Sequence, residues 1–197
     1  EMLGVLAIIG VLSVGAIAGY SKAMMKYKLN KLASEYNYII ASLLEHSADL
    51  KKLKATDEYQ ERYYLNEIMN KLNIIPSSWK IKGNYTLIDS VGFATSPFIR
   101  NKHINFDIYF GIEDSDITQS FANDFCFEYF KSVILPSHNS ISYVTLWKSN
   151  GNSIDYYGNS YCEKGRKCLS NITMTEIHDV CNSCIINKEK CVFNIQI

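Results

Sequence analysis

The residues with the most obvious chemical capacity are six cysteines, Cys126, Cys162, Cys168, Cys181, Cys184 and Cys191, all at or beyond position 126 of a 197-residue chain. Cys181-Asn-Ser-Cys184 has the spacing of a redox dithiol or of half a zinc site. A second pair at zinc-knuckle spacing is missing, so closed bridges are the expectation, with no metal and no cofactor. An even number of cysteines suits a disulfide set made in an oxidising compartment, which puts this part of the chain outside the cytoplasm. Six cysteines admit fifteen connectivities and the sequence does not choose among them. The working assignment joins Cys162 to Cys168, Cys184 to Cys191 and Cys126 to Cys181.

The other reactive side chains form no constellation. His46, His103, His138 and His178 are widely spaced and make no ligand motif, so each reads as a surface or helix-face residue. No nucleophile elbow, phosphate loop or metalloprotease helix is present, and no enzymatic activity is expected. Asn84-Tyr-Thr and Asn171-Ile-Thr fit the glycosylation acceptor pattern, which chance also produces. The remaining chemical oddity is Glu1, a carboxylate at the mouth of a stretch, Met2 to Tyr20, that carries no charge at all.

That uncharged stretch would rise about 28 Å as a helix, close to the hydrocarbon thickness of a bilayer. A secretory signal peptide would open on a basic segment, which this chain lacks. A single-span anchor flanked by Lys22, Lys26 and Lys28 accounts for the apolarity but leaves Glu1 unexplained. Beyond Tyr20 an apolar stripe continues through Met25, Leu29, Leu32, Tyr36, Ile39, Leu43, Leu50 and Leu53 in steps of three and four, broken only at His46. One helix is therefore expected from Glu1 to about Lys54, apolar on every side in its first half. In its second half it is amphipathic, with Lys28, Lys31, Glu35, Glu45, Asp49 and Lys52 facing water and the stripe lying against a domain. A coiled-coil dimer is the competing reading of the stripe.

A head domain over residues 55–197 should follow. A short helix capped by Thr56 or Asp57, with Tyr59, Tyr63, Leu65, Ile68, Met69 and Leu72 as its apolar positions, is expected to end near Pro76. Segments Ile81 to Ile88, Ile104 to Ile112, Ser140 to Trp147 and Cys191 to Ile197 alternate apolar and polar residues as antiparallel strands do. Asp116 to Val133 and Met174 to Cys184 read as helices. Asn150 to Gly158 and Asn159 to Cys168 read as exposed loops, with a turn at Asn150-Gly151-Asn152. Acidic and basic residues number 20 each, so no basic surface argues for nucleic acid. The 13% aromatic content, including Tyr36, Tyr38, Tyr63 and Tyr64, is read as packing rather than electron transport.

The opening, Glu1 followed by MLGVLAIIGVLSVGAIAGYSKAMMKYKLNK, resembles the start of type IV pilins and pseudopilins over about the first thirty residues. A carboxylate heading an uncharged span is costly and is rarely kept without a partner, which makes the match specific. The resemblance implies that a few residues and a basic leader cut by a prepilin peptidase precede Glu1. It also implies that Glu1 neutralises the N-terminal ammonium of a neighbouring subunit during assembly. For the whole chain it implies an α+β fold, a long N-terminal helix packed on an antiparallel sheet, with a disulfide-closed C-terminal region.

Gly15 and Gly19 stand at the small-xxx-small spacing that lets apolar helices approach closely, although monomeric membrane proteins use the same spacing. Each glycine weakens a helix by about 1 kcal/mol relative to alanine, so the helix is expected to unwind between about Gly10 and Gly19 once the subunit leaves the bilayer. The function implied is that of a major pilin, held in the inner membrane and then polymerised into an extracellular filament for adhesion, motility or DNA uptake. The runner-up is a minor pilin or type II secretion pseudopilin. A single-span anchor carrying a disulfide-rich binding domain is the third reading.

Overall fold

The computed structural model describes residues 2–53, 62–110, 117–148, 151–184 and 191–197, and the side chains of the first helix from residue 16 onward with residue 18 excepted. That first helix, α1, runs Met2–Glu45, contains no proline, and is continuous through Gly10, Gly15 and Gly19. Its 44 residues reach about 66 Å at about 1.5 Å each. It does not continue unbroken to Lys54, as the stripe had implied. The backbone leaves the helical region at His46 (φ −92°, ψ 5°) and resumes as the single turn α2, Ser47–Leu50. Leu50 stays buried across the break, while Leu53 is largely exposed and falls off the stripe.

Glu1 lies outside the described residues. Among the described residues no helix is long and apolar enough to cross a membrane. Most of the stretch for which a span was expected, residues 2–15 and 18, has its side chains outside the description.

The head is an α+β unit built on one antiparallel sheet. Strand β1 is Tyr63–Tyr64, so Tyr63 is extended where a helix had been expected; α3, Asn66–Lys71, begins only after it. The expected caps Thr56 and Asp57, and Tyr59, lie outside the described residues. The run Ile81 to Ile88 is a hairpin of two short strands, β2 (Lys80–Lys82) and β3 (Thr86–Ile88), turning at Gly83 with φ of 66°. Then come β4 (Ala94–Arg100) and β5 (His103–Phe110). Helix α4 (Gln119–Tyr129) is capped by Thr118, whose side chain accepts from the Phe121 N–H, and it widens into a π-turn over Phe130–Ile134. Strands β6 (Tyr143–Trp147) and β7 (Ser153–Tyr157) form a hairpin. Helix α5 (Met174–Asn182) starts at a capping box of Thr173 and Glu176, and β8 (Cys191–Gln196) closes the chain. The sheet order is β2-β3-β4-β5-β8-β6-β7, with β1 added to β4.

Two of these strands depart from the sequence reading. Asn150 to Gly158, taken as an exposed loop, contains β7, whose Tyr156 is buried. Strand β4 went unrecognised because Pro97 sits at its centre and nearly all its residues are buried, which hides the alternation. The topology removes the penalty for the proline. A residue's N–H and C=O leave an antiparallel strand on the same side. The Pro97 carbonyl accepts from the Leu65 N–H, and it lies between Thr95, the last residue paired with β3, and Phe98, the first paired with β1. The missing N–H thus faces a gap and costs the β5 ladder nothing.

One face of the sheet is apolar and carries the helices. Ile104, Phe106 and Ile108 of β5, Phe193 and Ile195 of β8, and Val144 and Leu146 of β6 line it and are at most 2% exposed. Against it lie Leu32, Tyr36, Ile39 and Leu43 of α1, each wholly buried, with Phe125 and Tyr129 of α4 alongside. The stripe therefore seats α1 and α2 on the head from Leu29 to Leu50. The aromatic content serves this packing: the Tyr36 ring lies 5.0 to 5.8 Å from those of Trp79, Phe106, Phe125 and Tyr129.

Candidate assembly surface

Among the described residues, the part of α1 ahead of Leu29 is the part least covered by the rest of the chain. Ile17 and Tyr20 are each 66% exposed and Tyr27 is 63% exposed, while Met24 and Met25, the latter expected to open the buried stripe, are 36% and 38% exposed. Contiguous exposed apolar surface of this kind marks an interaction site. A Cβ placed on Gly19 would meet nothing within 4 Å, so the close approach that small residues allow is not used by the chain on itself. Gly10 and Gly15 lie in the same helix, upstream of the described side chains.

At the point where α1 leaves the head, an open groove of about 710 Å³ runs between the helix and the start of α4. Met24, Met25, Val91, Ile117 and Phe121 give it an apolar lining, and Lys28 and Lys31 edge it. Lys22, Lys26, Lys28 and Lys31 follow the uncharged stretch with no acidic residue among them. The neck is therefore positively charged around an apolar cleft.

Two carboxylates weld α1 to the head just beyond this groove. Glu35 had been expected to face water, yet its side chain is only 11% exposed. It accepts from Ser78 Oγ at 2.7 Å, Trp79 Nε1 at 2.9 Å and Ser90 Oγ at 2.6 Å, and pairs with Lys31 at 3.7 Å. One turn of the sequence signal was misleading here: a Glu four residues after a Lys looks like an exposed ion pair, and the partners that bury it come from distant loops. Asp89 is buried beside it. Its Oδ1 accepts from the backbone N–H groups of Val91, Gly92 and Phe93, and its Oδ2 accepts from the Tyr36 hydroxyl at 2.9 Å. Burial nevertheless outweighs these donors and pushes the carboxyl up to about 6. The same burial, with Asp89 adjacent, raises the Tyr36 hydroxyl far above its ordinary value.

The cysteines close three disulfides, in the pairs Cys126–Cys181, Cys162–Cys168 and Cys184–Cys191. The first ties α4 to α5, the second pins the loop after β7, and the third joins the end of α5 to the start of β8. Cys181 and Cys184 are thus in different bridges and form neither a dithiol nor half of a metal site. Among the described residues no cluster of His, Cys, Asp and Glu could hold a metal ion. Three bridges fit an oxidising compartment outside the cytoplasm. Asn84, in the β2–β3 turn, and Asn171 are both exposed.

Compared with known proteins, the chain matches no family model, no curated protein and no solved structure.

Proposed function

We propose that this chain is a structural subunit of an extracellular filament of the type IV pilin kind, polymerising through the free half of α1 and performing no catalysis. The observation that carries the reading is the division of α1 at about residue 29. C-terminal to it the helix is buried on the head and fixed by Tyr36, Glu35 and Asp89; N-terminal to it Ile17, Tyr20 and Tyr27 stand in the open. Water is a poor environment for such a surface, and lipid or neighbouring helices are good ones. The inner membrane would hold the subunit before assembly, and copies of the same helix would replace lipid in the filament. Glu1, Gly10, Gly15 and Gly19 are assigned to assembly, Glu1 as the partner of a neighbour's ammonium. A prepilin peptidase and a pilus assembly machinery are the implied partners.

Electron microscopy of material sheared from the cell surface, with the fibres identified by mass spectrometry, tests the reading. Long fibres composed of this chain are expected. Chain found only at the tips or bases of fibres built from another subunit would make it a minor pilin or pseudopilin. Detergent-extracted monomers with no fibres would overturn filament assembly and leave a single-span anchor.

A further inference from the structure

The groove at the neck joins an apolar lining to a cationic rim. Tyr20, Met24, Lys28 and Lys31 recur every three or four residues, so they share one face of α1, with the tyrosine and the methionine first along it and the lysines last. From Tyr20 to Lys31 that face is about 16 Å long at about 1.5 Å per residue. Across the gap stand Val91, Ile117 and Phe121 of the head, each partly buried. The opening of about 710 Å³ falls in the range, roughly 300–1,000 Å³, that single small ligands occupy. Lys28 is exposed, and Lys31 reaches Glu35 at 3.7 Å while 46% of its side chain stays open.

The side of the membrane on which these lysines fall is unusual for a chain held in a bilayer by its uncharged stretch. Lys and Arg flanking a span ordinarily gather on the cytoplasmic side. Here the disulfides put the head on the other side, and Lys22, Lys26, Lys28 and Lys31 go with it. Such charge works against the orientation of the span unless the leaflet it meets carries anions. The groove begins at Tyr20, the residue at which the uncharged stretch ends, so its mouth opens at the level of the lipid headgroups. Tyr20 and Tyr27 are exposed there, as aromatic residues at a membrane surface are.

We infer that the groove binds one anionic phospholipid, with an acyl chain lying between the methionines of α1 and Phe121 of the head and the phosphate meeting Lys28 and Lys31. The inference rests on the proposed membrane-held state of α1. A second copy of the chain is the competing occupant, and charge decides between them. The free part of α1, Met2 to Tyr20, is apolar but carries no acidic residue, and its one neighbouring carboxylate, Glu1, is assigned to another subunit's ammonium. That helix would cover the apolar lining and leave the lysines unanswered, whereas an anionic phospholipid answers both. A zwitterionic lipid brings an ammonium of its own and gains less. Glu35 lies below Lys31, held by Ser78, Trp79 and Ser90, and Glu113, Asp114 and Asp116 precede Ile117 in the sequence, outside the described residues. Comparing lipids of different charge therefore weighs the lysines against these carboxylates.

The test reconstitutes the full-length chain in vesicles of equal parts phosphatidylcholine and phosphatidylglycerol, with a trace of either lipid carrying a photoreactive group on its acyl chain. After illumination, peptide mass spectrometry locates the label. Photoreactive phosphatidylglycerol is expected to label head peptides containing Val91 or Phe121 as well as α1, and photoreactive phosphatidylcholine to label those head peptides about tenfold less. Lys28→Gln with Lys31→Gln should lower head labelling by phosphatidylglycerol about tenfold. Lys164→Gln with Lys167→Gln, in the disulfide-closed loop after β7, should leave it unchanged, and thermal unfolding checks that each variant is folded. Label confined to α1, or unchanged head labelling in the folded Lys28 and Lys31 variant, overturns the inference. Head peptides labelled alike by both lipids, and shielded as the chain is packed more densely in the vesicle, would give the groove to a second copy and overturn it too. Chain that fails to insert into the vesicles overturns the inference together with the membrane-held state, whereas inserted chain with an unlabelled head overturns the inference alone.

Discussion

Asp89→Asn should remove a pH dependence that the weld between α1 and the head builds into this protein. The Asp89 carboxyl is 4% exposed and, despite four donors, burial raises it from 3.8 to about 6. A carboxyl whose folded value exceeds its unfolded value binds its proton more tightly in the folded chain. Its contribution to stability is therefore greatest below about pH 4, declines as pH rises toward 6, and is level above that. A rise of about two pH units is worth about 3 kcal/mol at 1.36 kcal/mol per unit. Asparagine keeps an oxygen for the Val91, Gly92 and Phe93 N–H groups and does not titrate. Denaturant unfolding of both proteins from pH 4 to pH 8 gives the comparison. Carboxylates common to both cancel, among them Glu67 and Glu176, which hydrogen bonds hold below their usual range and whose effect has the opposite sign. The stability of the natural chain relative to Asp89→Asn should rise by about 3 kcal/mol as pH falls from 7 to 4. A difference that is flat across this range, or that grows with rising pH, would refute the reasoning. Tyr36→Phe removes one donor from the carboxylate, so it should cost about 1–3 kcal/mol at neutral pH and move the window upward.

Other perturbations probe other joints. The Cys126–Cys181 bridge spans a separation of 55 residues, and loop entropy assigns it about 4 kcal/mol, against about 2 kcal/mol for Cys162–Cys168 with a separation of 6. Unfolding midpoints of the two Cys-to-Ala pair variants should rank in that order. Gly158→Ala would place a Cβ 1.7 Å from the Ile141 carbonyl oxygen and 2.8 Å from that of His138. A loss of about 3 kcal/mol is expected from such overpacking, read by thermal unfolding; a near-neutral effect would mean this loop yields easily. Glu1→Ala is expected to leave a membrane-held chain that polymerises poorly, and filament counts matching the natural protein would argue against the neutralisation role.

Much of the architecture is a local property of the chain. The uncharged run and the stripe from Leu29 to Leu50 specify a long helix free at one end and docked at the other, because a 3.6-residue period must bury its apolar side. Strands β5, β6 and β8 show in their alternation, and α5 shows in its Thr173–Glu176 capping box. Six late cysteines announce a bridged, extracytoplasmic head. Other features came from residues distant in the chain meeting in space. Pro97 is tolerated in a central strand only because β3 stops where β1 begins. Glu35 becomes a buried hub only because Ser78, Trp79 and Ser90 converge on it. The row of Ser96, Asp107, Asn194, Thr145 and Asp155 exists only in the register of five strands. Side-chain period is a property of each segment, whereas pairing and register are set by which segments the packed core brings together. That is why the helix could be read from its own residues, and the order and register of the strands only from the fold.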